Sequence, residues 1–227
     1  MRAIDEQLAL QLVEEGAGLA PLDQALLLVS SVEDLPAESA AELAVDERDS
    51  KLIAARIAAF GAGVTFFTPC PHCGEGNEAD FDLNSIPRRQ SERIEISIDG
   101  RPICLRPPSS RAVAAAAAAS DPKILLHACA EGVGPADDPR TLERIEQELA
   151  SAFPLLNITF DMTCAQCSRE FTTRFDIGAW LWREVEALAD QAVDTVDRLA
   201  RAYGWSESDI LAMPQSRRAL YLARVTA

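Results

Sequence analysis

Four cysteines carry the spacing in this chain best suited to chemistry. Cys70 and Cys73 stand in Pro69-Cys70-Pro71-His72-Cys73, and Cys164 and Cys167 stand in Thr163-Cys164-Ala165-Gln166-Cys167. Thiolates at i and i+3 of a tight turn can both face one cation. Two such pairs make the closed tetrahedral sulfur set of a structural zinc site. The expectation is one zinc ion held by Cys70, Cys73, Cys164 and Cys167. Rival readings of the same residues are a disulfide within each knuckle, which needs an oxidising compartment, and four unligated thiols. A third is thiol–disulfide exchange at Cys70 and Cys73, since Cys-Pro-His-Cys is also an oxidoreductase tetrapeptide. That chemistry needs the first cysteine at a helix N-terminus, and Gly74-Glu75-Gly76-Asn77 breaks helices. His72 falls inside the first knuckle, but Gln166 holds the matching place in the second, so His72 reads as a solvated turn residue.

The elements that must position these sulfurs form an internal repeat. Thr65-Phe66-Phe67-Thr68-Pro69-Cys70 matches Thr159-Phe160-Asp161-Met162-Thr163-Cys164 at a constant offset of 94, and Phe81-Asp82-Leu83 matches Phe175-Asp176-Ile177 at the same offset. One unit, a strand, a CxxC turn and a returning strand, is used twice.

Composition limits the rest. The chain has 227 residues, 48% of them hydrophobic and 6% aromatic, enough for one large or two small domains built mainly of helices. A formal charge of −15 argues against a nucleic-acid partner, because phosphate binding depends on Lys and Arg. A zinc-ribbon nucleic-acid module is therefore a minor alternative. No basic start followed by an apolar stretch marks a signal peptide, and no apolar run reaches the length of a membrane span. The expected setting is a reducing cytoplasm, without membrane contact.

The organisation reads as five units: an N-terminal helical region, 1–61; the first knuckle with a hairpin, 62–108; a helical insertion, 109–153; the second knuckle, 154–178; and a C-terminal helical region, 179–227. The first region has helices over 24–31 and 46–60, with Gly61 where a left-handed cap would sit. It serves as a packing platform. Ile94, Ile96 and Ile98 alternate with polar residues before Asp99-Gly100, which predicts a two-residue hairpin turn pairing Ile96 with Ile103 and Ile94 with Leu105. Cys104 then faces away, opposite Glu95, as a spare thiol. Ser109 or Ser110, Asp121-Pro122 and Asp138-Pro139 read as helix starts through 109–150. His127 and Cys129 lie on the middle helix without converging partners. The longest helix, 179–203, carries a stripe of Leu181, Val185, Leu188, Ala192, Val196, Leu199 and Tyr203. Trp180 falls off that stripe, packed on the ribbon or exposed to a partner. Ser206-Glu207-Ser208-Asp209 reads as a capping box, with a last helix over 217–225. The fold class is α+β, mostly helical, around an antiparallel zinc-ribbon-like region of two CxxC hairpins plus one further hairpin. No phosphate loop, triad spacing or paired catalytic carboxylates stand out, so no enzyme activity is expected.

Several segments together resemble the baseplate hub assembly proteins (chaperones) of T-even-like phages, a family found in contractile phage tails and tail-derived injection systems. They are the two knuckles, Leu105-Arg106-Pro107, Leu181-Trp182, and Ala202-Tyr203-Gly204-Trp205-Ser206-Glu207-Ser208-Asp209-Ile210-Leu211 followed by Arg217-Arg218. The likeness runs from about residue 45 to the end, and more loosely over the N-terminal helices. Ala165 and Ser168 stand where proline and glycine are common around the cysteines. The resemblance implies a non-catalytic assembly role, with other tail or baseplate hub proteins as partners. It implies no nucleic acid and no small-molecule substrate. The location implied is the host bacterial cytoplasm during assembly, or the baseplate of a virion or injection system. A zinc ion between the knuckles would fix the relative placement of three helical blocks that share few obvious contacts.

Overall fold

Asp5 opens the chain's first helix, α1 (Glu6–Gly16), by accepting the Leu8 N–H at 2.9 Å. The computed structural model describes residues 2–86, 92–133 and 138–225. After α1 come α2 (Pro21–Glu33), α3 (Ala37–Glu42) and α4 (Val45–Phe60). Their apolar faces, including Leu8, Leu12, Leu28, Val32 and Leu52, are fully buried in one cluster. Arg2 N–H bonds the Val32 carbonyl at 2.6 Å, pinning the chain start to α2. Gly61 ends α4 with φ 87° and ψ 179°. The positive φ is a glycine conformation, but it is extended rather than the left-handed cap expected at this position.

The first cysteine hairpin pairs β1 (Gly63–Pro69) with β2 (Gly76–Asp82), followed by a 3₁₀ turn, Leu83–Ser85. The further hairpin pairs β3 (Ile94–Ile98) with β4 (Arg101–Leu105) in the expected register, Ile96 opposite Ile103 and Ile94 opposite Leu105. It stands apart from the cysteine hairpins. A two-residue strand, β5 (Ala130–Glu131), adds to β4, and sequence pattern gave no sign of it because two residues show no alternation. Between them lie α5 (Ser110–Ala119) and α6 (Pro122–Cys129), and after them α7 (Pro139–Ala152). Ser109, Asp121 and Asp138 cap these helices through their side chains. Ile98, Ile103, Leu105, Leu126, Ile145, Leu149 and Phe153 form a second, smaller core. Residues 87–91, inside the 62–108 unit, and 134–137, inside the 109–153 unit, lie outside the described residues.

The second cysteine hairpin pairs β6 (Thr159–Thr163) with β7 (Glu170–Arg174). It runs into α8 (Ile177–Tyr203), which starts two residues earlier than its apolar stripe suggests because Asp176 is the cap, accepting the Ala179 N–H at 3.1 Å. Two short helices close the chain, α9 (Glu207–Leu211) and α10 (Gln215–Val225). Ser206 caps α9 by accepting the Asp209 N–H at 3.2 Å.

The expectation that the helical blocks share few contacts is corrected by α8. Helices α1, α2, α4 and α10 all pack on it. Gly16 of α1 lies so close to Trp182 that a Cβ there would collide with the indole ring. Arg56 of α4 is buried and donates Nε and Nη2 to the two Glu184 carboxylate oxygens at 3.0 and 2.7 Å. Its Nη1 donates to the Gly63 carbonyl at 2.7 Å, which ties the start of β1 into the same joint. Each helix shows its apolar face in the sequence; which faces meet is decided by such tertiary fits. Trp180 is packed rather than presented, with its ring 5.9 Å from Phe175 and the Arg183 guanidinium 4.9 Å above it. Of the α8 stripe, Leu181, Val185, Ala192 and Leu199 are buried, while Tyr203 is exposed at the helix end. Among the described residues no helix is long and apolar enough to cross a membrane.

The two cores meet along a narrow seam. Val45 N–H bonds the Pro108 carbonyl at 2.8 Å, and Arg48 Nη1 bonds Ser110 Oγ at 2.9 Å. Arg48 also pairs with Asp49 at 2.7 Å. Burial pushes the Asp49 carboxyl up to about 6, with the Arg48 charge pulling the other way.

Candidate metal centre

The repeat seen in the sequence holds pair for pair in the strands. Phe66 pairs with Ala79 as Phe160 pairs with Thr173; Thr68 pairs with Asn77 as Met162 pairs with Phe171; Pro69 pairs with Gly76 as Thr163 pairs with Glu170. Each partner in the second set lies 94 residues beyond its counterpart. The knuckles also close alike. Cys70 N–H donates to the Glu75 carbonyl at 2.8 Å and Cys164 N–H to the Arg169 carbonyl at 3.0 Å. Gly74 N–H and Ser168 N–H each return to the carbonyl of the first cysteine of their knuckle at 2.9 Å. That return requires a positive φ, 79° at Gly74 and 57° at Ser168. For serine this conformation costs about 1 kcal/mol.

The two hairpins face each other about an approximate two-fold axis. Phe66, Phe81, Phe160 and Phe175 form one aromatic cluster with every pair of ring centres between 4.6 and 6.3 Å. Adding 94 exchanges Phe66 with Phe160 and Phe81 with Phe175, so the cluster maps onto itself. The sulfurs obey the same exchange. Cys70 Sγ lies 3.8 Å from Cys167 Sγ, and Cys73 Sγ lies 3.6 Å from Cys164 Sγ. Apolar packing of the rings thus brings two turns that are distant in sequence to one point.

All four sulfurs lie within 4.8 Å of one another. A tetrahedron with metal–sulfur bonds of about 2.3 Å has edges of about 3.8 Å, so these two pairs already stand at the edge length of a four-thiolate metal cage. They are far beyond the roughly 2.05 Å of a disulfide, and all six cysteines of the chain are free thiols. Cys70 and Cys164 are buried, whereas Cys73 is exposed and Cys167 half-buried.

Protons distribute unevenly over the cluster. The backbone N–H groups of Cys167 and Gln166 draw the Cys164 thiol down to about 6 against the effect of burial. Cys73 also has a favourable backbone N–H, from Glu75. Burial and the neighbouring sulfurs of Cys164, Cys167 and Cys70 nonetheless push it up to about 12. Four thiolates cannot share this volume without a cation to offset their mutual repulsion, and a bound divalent metal supplies that charge. These residues could hold one metal ion.

Asn77 is the supporting residue that sequence reasoning missed. It is buried, and its Nδ2 donates to the Glu75 carbonyl at 2.9 Å and lies 3.8 Å from Cys164 Sγ. Its Oδ1 accepts the Ala165 N–H at 3.0 Å, so one side chain braces both knuckles. The repeat hides it, because the matched residue is Phe171. A polar residue on the strand just past a knuckle was the available signal.

The remaining candidates stay outside the cluster. His72 is exposed, with Nε2 at 3.4 Å from the Glu170 carbonyl oxygen. Cys104 lies opposite Glu95, as the hairpin register requires. Cys129 is buried in the second core, where burial pushes its thiol up to about 11 with Arg106 opposing. His127 lies half-buried on α6. The first knuckle leads into β2, so Cys70 does not itself stand at a helix N-terminus. Comparison with protein-family models, with curated proteins and with solved structures finds no match to this chain.

Proposed function

We propose that this chain is a non-catalytic assembly or structural protein of a contractile-tail baseplate, and that its paired knuckles hold one structural zinc ion. The zinc reading rests on one observation above the others, the convergence of Cys70, Cys73, Cys164 and Cys167 within 4.8 Å of one another, with two of the pairs at a four-thiolate edge length. A closed sulfur set leaves no open coordination position for a substrate, which favours a scaffold over a catalyst. The absence of a helix N-terminus at Cys70 disfavours the oxidoreductase alternative. The charge of −15 disfavours the nucleic-acid alternative. The baseplate reading rests on the likeness of the knuckles, Leu105-Arg106-Pro107, the segment 202–211 and Arg217-Arg218 to the hub assembly family. In this reading the chain works in the bacterial cytoplasm and its partners are other hub proteins.

Co-expression with the tail proteins encoded beside it, followed by affinity capture, tests the assembly role. Stable recovery of a hub or tape-measure component is the expected outcome; recovery of none would overturn it. An insulin-reduction assay on metal-free protein tests the alternative, and turnover that depends on Cys70 would replace the scaffold reading.

A further inference from the structure

Helix α10 is poorly covered. Arg218, paired with Glu6 of α1, is its one buried residue. Leu220 is 62% exposed and Val225 37%. Its other cover comes from half-buried Tyr221 and Leu222, Tyr221 packing edge-on against Tyr203 and Trp205, which leaves the opposite side of the helix open. It is also unlike the rest of the molecule. It contains Arg217, Arg218 and Arg224 and no acidic residue, in a chain of charge −15.

Arg217, Leu220 and Arg224 follow the spacing i, i+3, i+7 and are all exposed, so they form one face with an apolar centre and a positive charge at each end. Neither arginine makes an ion pair among the described residues. On α8, Asp190, Val193 and Asp197 follow the same spacing and are also exposed, with Val193 at 53% and Asp194 beside it. Among the described residues Asp190 and Asp194 have no cationic partner, and Asp197 is met by Arg201 at 2.9 Å on the helix surface, a weak kind of pair. The charged ends of each face lie about 10 Å apart along the helix axis. The two faces therefore match in length, in the position of the apolar side chain and in opposite charge. Within one chain they do not cover each other, since Val193 and Leu220 both remain open.

We propose that two copies of this chain associate, with the Arg217–Leu220–Arg224 face of α10 from each copy seated on the Asp190–Val193–Asp197 face of α8 from the other. A two-fold arrangement forms this contact twice. It places Leu220 against Val193 and gives each exposed arginine an aspartate. This association is independent of the metal and baseplate readings.

Sedimentation velocity of the full chain tests it, at a loading of about 50 μM suited to a micromolar dissociation constant. The wild-type chain is expected to sediment as a dimer. The variant carrying Arg217→Asp and Arg224→Asp, and separately the variant carrying Asp190→Lys and Asp197→Lys, each reverse all the charge pairs of the dimer and are expected to weaken dimerisation by more than about a hundredfold, so that each sediments mainly as a monomer at this loading. All four positions are exposed, and unchanged circular dichroism will confirm folding. Mixing the two variants restores opposite charge at both contacts, so the mixture is expected to dimerise although neither variant does alone. A monomeric wild-type chain, variants that still dimerise, or a mixture that stays monomeric would each overturn the proposal.

Discussion

The hairpin β1–β2 and the hairpin β6–β7 pair their strands at a constant offset of 94, yet they lead to very different continuations. After Asp82 the chain makes a single 3₁₀ turn, with Asp82 accepting the Asn84 N–H at 2.7 Å. After the matched Asp176 it makes α8, the helix on which α1, α2, α4 and α10 pack. What the copies share is what closes the dyad: phenylalanines at matched positions, cysteines at matched positions and the same knuckle bonds. Where they differ, each copy is specialised. Asn77 braces both knuckles, whereas Phe171 in its place offers no hydrogen bond. Phe67 is 70% exposed, whereas the matched residue is Asp161. The shared part brings four sulfurs together, and the divergent part attaches that ribbon to the helical core.

If the sulfurs act as one set, the two knuckles must matter equally. Cys70→Ser and Cys164→Ser are each expected to abolish tight metal binding, with up to on the order of 10 kcal/mol of folding free energy at stake. In calorimetry this lowers the Tm by on the order of 10 °C or more. A large effect at one knuckle and none at the other would break the equivalence. Acidification is expected to release the metal from wild-type protein, because protons compete for the thiolates. In the metal-free protein the Cys164 thiol is depressed from the ordinary 9.0 to about 6, so there the stability its thiolate contributes is lost as pH falls from about 9 through about 6, and a bound cation moves that loss to lower pH. A zinc-sensitive dye reads the release.

The aromatic cluster should be less even. Phe66 is buried and Phe160 half-buried, so Phe66→Ala is expected to cost about 3–5 kcal/mol in chemical denaturation and Phe160→Ala less. Asn77→Ala removes the hydrogen bond to the N–H of exposed Ala165, which water can then take, and is expected to cost about 0.5–1.5 kcal/mol. An expected effect of the same small size concerns the matched left-handed positions. Ser168→Gly is expected to stabilise by about 1 kcal/mol and Gly74→Ser to destabilise by about as much. Equal and opposite shifts in denaturation midpoint would confirm that both knuckles adopt one backbone conformation.

Much of this was legible in the sequence because it is periodic or local. The constant offset revealed the repeat. Asp99-Gly100 with alternating isoleucines revealed the register of the further hairpin. Ser109, Asp121, Asp138 and Ser206 announced their helices. What the sequence withheld depends on which surfaces meet. Nothing in the order of residues says that Gly16 receives Trp182, that Arg56 joins α4 to α8 and β1, or that the further hairpin leaves the ribbon to form its own core with α6 and α7. Asn77 was hidden for a related reason, since a residue that serves only one copy of a repeat is invisible to a comparison of the copies.

X-ray absorption at the zinc edge, on protein purified without added metal, addresses the metal centre most directly. The expected result is one zinc per chain with four sulfur neighbours at about 2.3 Å. A chain without bound metal, a shell containing nitrogen or oxygen ligands, or sulfur–sulfur bonds of about 2.05 Å in place of the metal would contradict it.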